Sequence, residues 1–165
     1  MNLRLIGGML LLAAGTMLGC RMAERYSGHA KRLRLQRQLI SAMITELSGT
    51  LPVIPELLRH TAAMPQFATL RFLQHAAENA DAFPQCWQEA LDADSSLAEQ
   101  ERAVLETVGQ TLGSTTLEGQ IAALTLCAER LAALCSDAET LAKEKGTLCR
   151  SMGILGTLML VILLL

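Results

Sequence analysis

Both ends of this chain are apolar, and each carries a collar of positive charge on its inner side. No charged residue occurs from Leu5 to Cys20, nor from Ser151 to Leu165, which finishes in LMLVILLL. Between Arg21 and Arg37 stand six bases (Arg21, Arg25, Lys31, Arg32, Arg34, Arg37) against the single acid Glu24. Lys143, Lys145 and Arg150 precede the second apolar stretch, against Glu144. Lys and Arg collect on the cytoplasmic flank of membrane helices and set their orientation. Two inner collars thus predict a membrane anchor over residues 1–21, a cytoplasmic domain over 22–148 and a second anchor over 149–165.

Each anchor is short. Sixteen residues from Leu5 to Cys20 rise only about 24 Å, against an apolar bilayer core of about 30 Å. Counting from Met1 with Arg4 snorkelling outward restores a span, as does counting Thr147 to Arg150 into the second helix. Anchors of this length suit holding a domain against the membrane better than forming a pore. Gly15 and Gly19 make a GxxxG pair with Gly8 on about the same face, and Gly153 and Gly156 lie in the other segment. Such residues let membrane helices approach closely, although glycine is also simply frequent there. Met17-Leu18-Gly19-Cys20 has the outline of a lipoprotein signal, but Met three positions before the cysteine and the bases after it oppose export.

The middle of the chain is acidic. From Gln38 to Ala142 there are 14 acids against the four bases Arg59, Arg71, Arg102 and Arg130. That balance argues against nucleic acid as a partner. It is compatible with a basic protein surface, although an acidic solvated face is the commoner explanation. Five cysteines without a CxxC pair, and three scattered histidines, give no metal-ligand spacing. Cys127 and Cys135 share a helical face and read as small apolar residues of a reducing compartment.

Few aromatics and many Ala and Leu predict an all-helical fold: a single six-helix cytoplasmic bundle with a membrane helix at each end. Leu33, Gln36, Leu39, Ile40, Met43, Ile44 and Leu47 form the stripe of a first helix over 28–48, ended by Gly49. Pro55, Pro65 and Pro84 open three short helices. The third has Phe67, Leu70, Leu73, Ala76 and Ala77 inward, and the fourth buries Trp87 and Leu91. Ser96 with Glu99, and Thr115 with Glu118, read as capping boxes for a fifth helix (97–112) and a long sixth. The sixth keeps its period through Ile121, Leu124, Ala128, Leu131, Ala132 and Leu141. The acids of the fifth and sixth helices are spaced like a solvated face.

No phosphate-cradling, dinucleotide, zinc-protease or nucleophile-elbow motif occurs. The expectation is a protein that is not an enzyme and holds no cofactor or metal. The segment Gly113, Ser114, Thr115, Thr116, Leu117, Glu118, Gly119, Gln120 is a polar, glycine-bearing turn at a helix start. It is expected either to dock a partner, or only to cap the last helix and permit a close turn.

With the preceding Leu112, that segment resembles the LG-x-[ST]-D-x-EGQ turn of the stage III sporulation protein AB family of endospore-forming bacteria, with Thr116 where the family has Asp. The opening LRLIGGMLLLAAGTMLG, the PQCWQEAL segment and the ending Arg150-Ser151-Met152-Gly153 with VILLL resemble the family in the same order. The resemblance implies a helical domain similar to the cytoplasmic domains of type II secretion platform proteins. It also implies a place on the mother-cell side of a channel-like complex with the forespore, in the mother-cell membrane. The implied partners are the membrane, other channel subunits and a secretion-type ATPase, with self-association left open. A membrane-tethered sensor or adaptor that binds a small ligand is the alternative of a different class.

Overall fold

The computed structural model describes the backbone of residues 2–164. It describes the side chains of residues 27–144, and beyond them only those of the exposed Met17, Arg21, Thr147, Ser151 and Leu155. Among the described residues the regular structure is all helical, with no strand. Six α-helices run in the order α1 (Asn2–Gly49), α2 (Ile54–Ala63), α3 (Arg71–Glu78), α4 (Gln85–Ala93), α5 (Glu99–Thr111) and α6 (Leu117–Leu164). Single 3-10 turns at Pro65–Phe67 and Ala80–Ala82 flank α3. The apolar ends fall mainly outside the described side chains, and so do Gly8, Gly15, Gly19, Gly153 and Gly156. Among the described residues no helix is long and apolar enough to cross a membrane.

The chain divides into two compact units, residues 32–134 and residues 1–31 with 135–165. In the second, Ala30, Cys135 and Ala138 are buried, and the Cys135 thiol donates to the Ala30 carbonyl oxygen at 3.7 Å.

The unit 32–134 is built around apolar side chains from all six helices. Leu33, Leu39, Ile40, Met43 and Leu47 of α1 meet Leu57 and Leu58 of α2 in its core. Phe72 and Leu73 of α3, Trp87 and Leu91 of α4, Leu105 and Val108 of α5, and Leu124 and Leu131 of α6 complete it. Each such side chain contributes about 1.5–3 kcal/mol through its removal from water. Phe72 meets Trp87 edge to face, with ring centroids 5.6 Å apart. The indole N–H of Trp87 donates to the Leu105 carbonyl oxygen at 2.8 Å, so its one polar atom is satisfied in the core.

Several local expectations shift. Gly49 is the last residue of α1, as its place after the stripe suggests, but Leu51 two residues on takes a φ of +48°. Pro65 opens only a 3-10 turn, because Leu70 is extended and delays α3 until Arg71. The Ser96–Glu99 box does not form. Ser96 turns its hydroxyl and its amide onto the Asp94 carboxylate instead, and α5 starts from Ala98 without a side-chain cap. Leu141 is exposed; the inner stripe of α6 runs Leu124, Cys127, Leu131, Cys135, Ala138.

Glu101 is the clearest departure from the pattern of a solvated acidic face. It is 1% exposed. Its carboxylate accepts from Gln36 Nε2 at 2.9 Å and lies 3.7 Å from Arg32 Nε. Arg32 thus leaves the basic collar to neutralise a buried acid, which a charge taken out of water requires.

Candidate functional site

The turn between α5 and α6 is closed by its own side chains. Gly113 has φ +77°, a left-handed conformation that only residues without a Cβ adopt without strain. A Cβ there would also lie 2.5 Å from Ile54 Cδ1. The Gly113 amide donates to Gln120 Oε1 at 3.2 Å, and Gln120 Nε2 donates to the Thr115 carbonyl at 2.8 Å. One side chain, reaching back from the first turn of α6, therefore fixes both sides of the loop.

The cap of α6 sits one residue later than the sequence spacing suggests. Thr116 Oγ1 accepts from the Gly119 amide at 3.4 Å, the hydrogen bond of an N-cap to its third helical residue. Thr116 therefore does what Asp would do at this position. Thr115 packs instead against Gly119, where a Cβ would come within 2.9 Å of its Oγ1. Glu118 points to solvent and makes no side-chain hydrogen bond among the described residues. Of the six residues singled out, Gly113, Thr115, Thr116, Gly119 and Gln120 build the turn, and Glu118 is left on its surface.

The outer side of this turn forms one wall of an open groove of about 370 Å³. Leu112, Gly113 and Ser114 face Ile54 of α2 and Phe83–Pro84 before α4, with Gln88 and Gln110 also lining it. Its floor at Gly109 is set by Trp87: a Cβ on Gly109 would stand 2.4 Å from Trp87 Cδ1. Beside Ile54, Leu51 and Val53 are 63% and 67% exposed. The groove joins residues from three separate stretches of chain, so no local motif announces it. The one sequence signal was the turn itself.

The remaining chemistry is muted. Burial pushes the thiols of Cys86 and Cys127 above the ordinary range, so they are poor nucleophiles and poor metal ligands. Among the described residues no cluster of His, Cys, Asp or Glu is arranged to hold a metal ion.

The chain is similar to known proteins over nearly its whole length. The family described as stage III sporulation protein AB matches residues 4–165. The stage III sporulation protein AB of Bacillus subtilis (strain 168) is 26% identical over 175 residues, covering 98% of this chain and 99% of that protein. No solved structure matches the chain. With its turn at Gly113–Gln120 in place and the match running nearly end to end, the chain belongs to the stage III sporulation protein AB family.

Proposed function

We propose that this protein is a membrane platform of a secretion-like channel used in endospore formation, and that it is not an enzyme. In this reading residues 1–21 and 149–165 anchor it in the mother-cell membrane around the forespore. Residues 22–148 then lie at the cytoplasmic face and dock other channel components, among them a secretion-type ATPase. The basic collars support the orientation.

The observation that carries the docking role is the open groove against the Gly113 turn. The loop that forms one wall is closed by Gln120, which binds the Gly113 amide and the Thr115 carbonyl. A preformed site loses little conformational freedom when it binds. Gln88, Gln110, Gly113 and Ser114 are exposed along it, so a bound molecule would be covered on one side only. That suits a side chain presented by a protein better than a small ligand, which sites usually enclose.

Affinity capture of the full chain from the membranes of sporulating cells, with identification of what comes with it, tests the reading. A secretion-type ATPase or another channel component is expected. Recovery of neither would overturn the platform role.

A further inference from the structure

We propose that the groove beside Gly113 receives one large apolar side chain from a partner segment that carries Lys or Arg within a helical turn of it. This rests on the docking reading and specifies the chemistry of the partner.

The groove itself asks for the apolar part. Ile54, Phe83 and Leu112 supply its walls, and its volume of about 370 Å³ accommodates a side chain rather than a whole helix. Next to it Leu51 turns an exposed leucine outward at φ +48°. A leucine is unfavourable both in that backbone conformation and in water. Val53, two residues on, is equally exposed, so an apolar lip continues the groove. Contact with a partner would cover both.

Charge supplies the basic part. Glu106 stands one turn before Gln110 on the same side of α5, is half-buried, and makes no ion pair among the described residues. Glu89, next to Gln88, is exposed and likewise has no such partner. Of the three arginines from residue 51 to residue 120, Arg59 is paired with Asp81 and Arg102 with Asp92 at 2.6 Å. From residue 32 to residue 134 the sequence contains no lysine. From residue 51 to residue 120 it has ten acids against three bases. An acid half-withdrawn from water beside an apolar groove is complementary to a cation carried next to an apolar anchor.

A photoreactive benzoylphenylalanine at position 110 of the full chain, irradiated in sporulating cells, tests this. The joined peptide is sequenced by mass spectrometry. A segment of another protein is expected, with an apolar residue at the link and at least two Lys or Arg within about four residues of it. Reversing charge by Glu89→Lys and Glu106→Lys, with folding checked by thermal denaturation, should reduce the adduct by about fivefold or more. An acidic or uncharged segment, a copy of this chain, or an adduct indifferent to charge reversal would overturn the proposal and leave the docking reading standing. No adduct at 110 also overturns it. If partners are still captured in that case, docking uses another surface; if none is captured, the platform reading falls as well.

Discussion

Gln120 reaches back seven residues to accept the amide hydrogen of Gly113 at 3.2 Å, and this bond shuts the loop that forms one wall of the groove. The same side chain donates to the Thr115 carbonyl. Gln120→Ala should therefore cost about 1–2 kcal/mol, the sum expected for two partly exposed hydrogen bonds. Gly113→Ala should cost more. It adds the left-handed backbone penalty of about 1–2 kcal/mol to a clash with Ile54. Thermal denaturation of the detergent-solubilised full chain, followed by circular dichroism, orders the two variants. Equal stability of Gly113→Ala and the parent would refute this account of the turn.

The two threonines before α6 should respond differently. Thr116→Ala removes the cap and is expected to cost about 1 kcal/mol, while Thr116→Asp should keep most of the stability. Thr115→Ala leaves the cap intact and should stay within about 0.5 kcal/mol of the parent. The reverse order in the same melting experiment would place the cap at Thr115 after all.

Gly109 is small because Trp87 occupies the space where a side chain would stand. Gly109→Ala places its methyl 2.4 Å from Trp87 Cδ1, so the indole must move and its bond to the Leu105 carbonyl must stretch. A loss of about 2–3 kcal/mol is expected from such overpacking. Trp87 is the only tryptophan, so its emission reports the shift directly. A red-shifted maximum in the folded protein is the expected sign, and an unchanged spectrum and melting point would count against the contact.

The buried Glu101 should be intolerant of losing only part of its surroundings. Arg32→Ala removes a cation 3.7 Å from a buried carboxylate, with an expected cost of about 3 kcal/mol or more. Replacing the acid and its amide partner together, as Gln36→Leu with Glu101→Leu, should cost less than Arg32→Ala, because the buried carboxylate is gone and the Arg32 side chain, 30% exposed, still reaches water. Chemical denaturation of the three proteins separates these cases. A double variant less stable than Arg32→Ala would show that the cluster contributes net stability of its own.

Much of the helical order could be read from periodicity and proline. Pro55 and Pro84 do lie at helix starts, and the stripe through Leu33, Leu39, Ile40, Met43 and Leu47 is the buried face of α1. What escaped were competitions among polar groups. Ser96 had the spacing of a cap, but Asp94 two residues away offered it a nearer acceptor. Gln36 sat visibly on the apolar stripe, yet nothing local disclosed that it would meet Glu101, 65 residues on. Glu101 itself shares its helix with solvated acids, and only the α1–α5 contact singles it out. The turn at Gly113 was legible because its glycines and its glutamine are close in sequence. The groove was not, since Ile54 and Phe83 reach it from elsewhere.

The central claim is that this groove is where partners dock, and Gln110→Arg tests it most directly. Gln110 is exposed and lines the groove, so a cation there should repel a basic segment seated in the site without disturbing the fold. Leu126→Arg, on an exposed position of α6, serves as the matched control. With both full-length proteins equally abundant in membranes and equally stable, capture from sporulating cells should recover the partner at about a tenth or less of the parent level for Gln110→Arg. Leu126→Arg should recover it at the parent level. Undiminished recovery with Gln110→Arg would contradict the account.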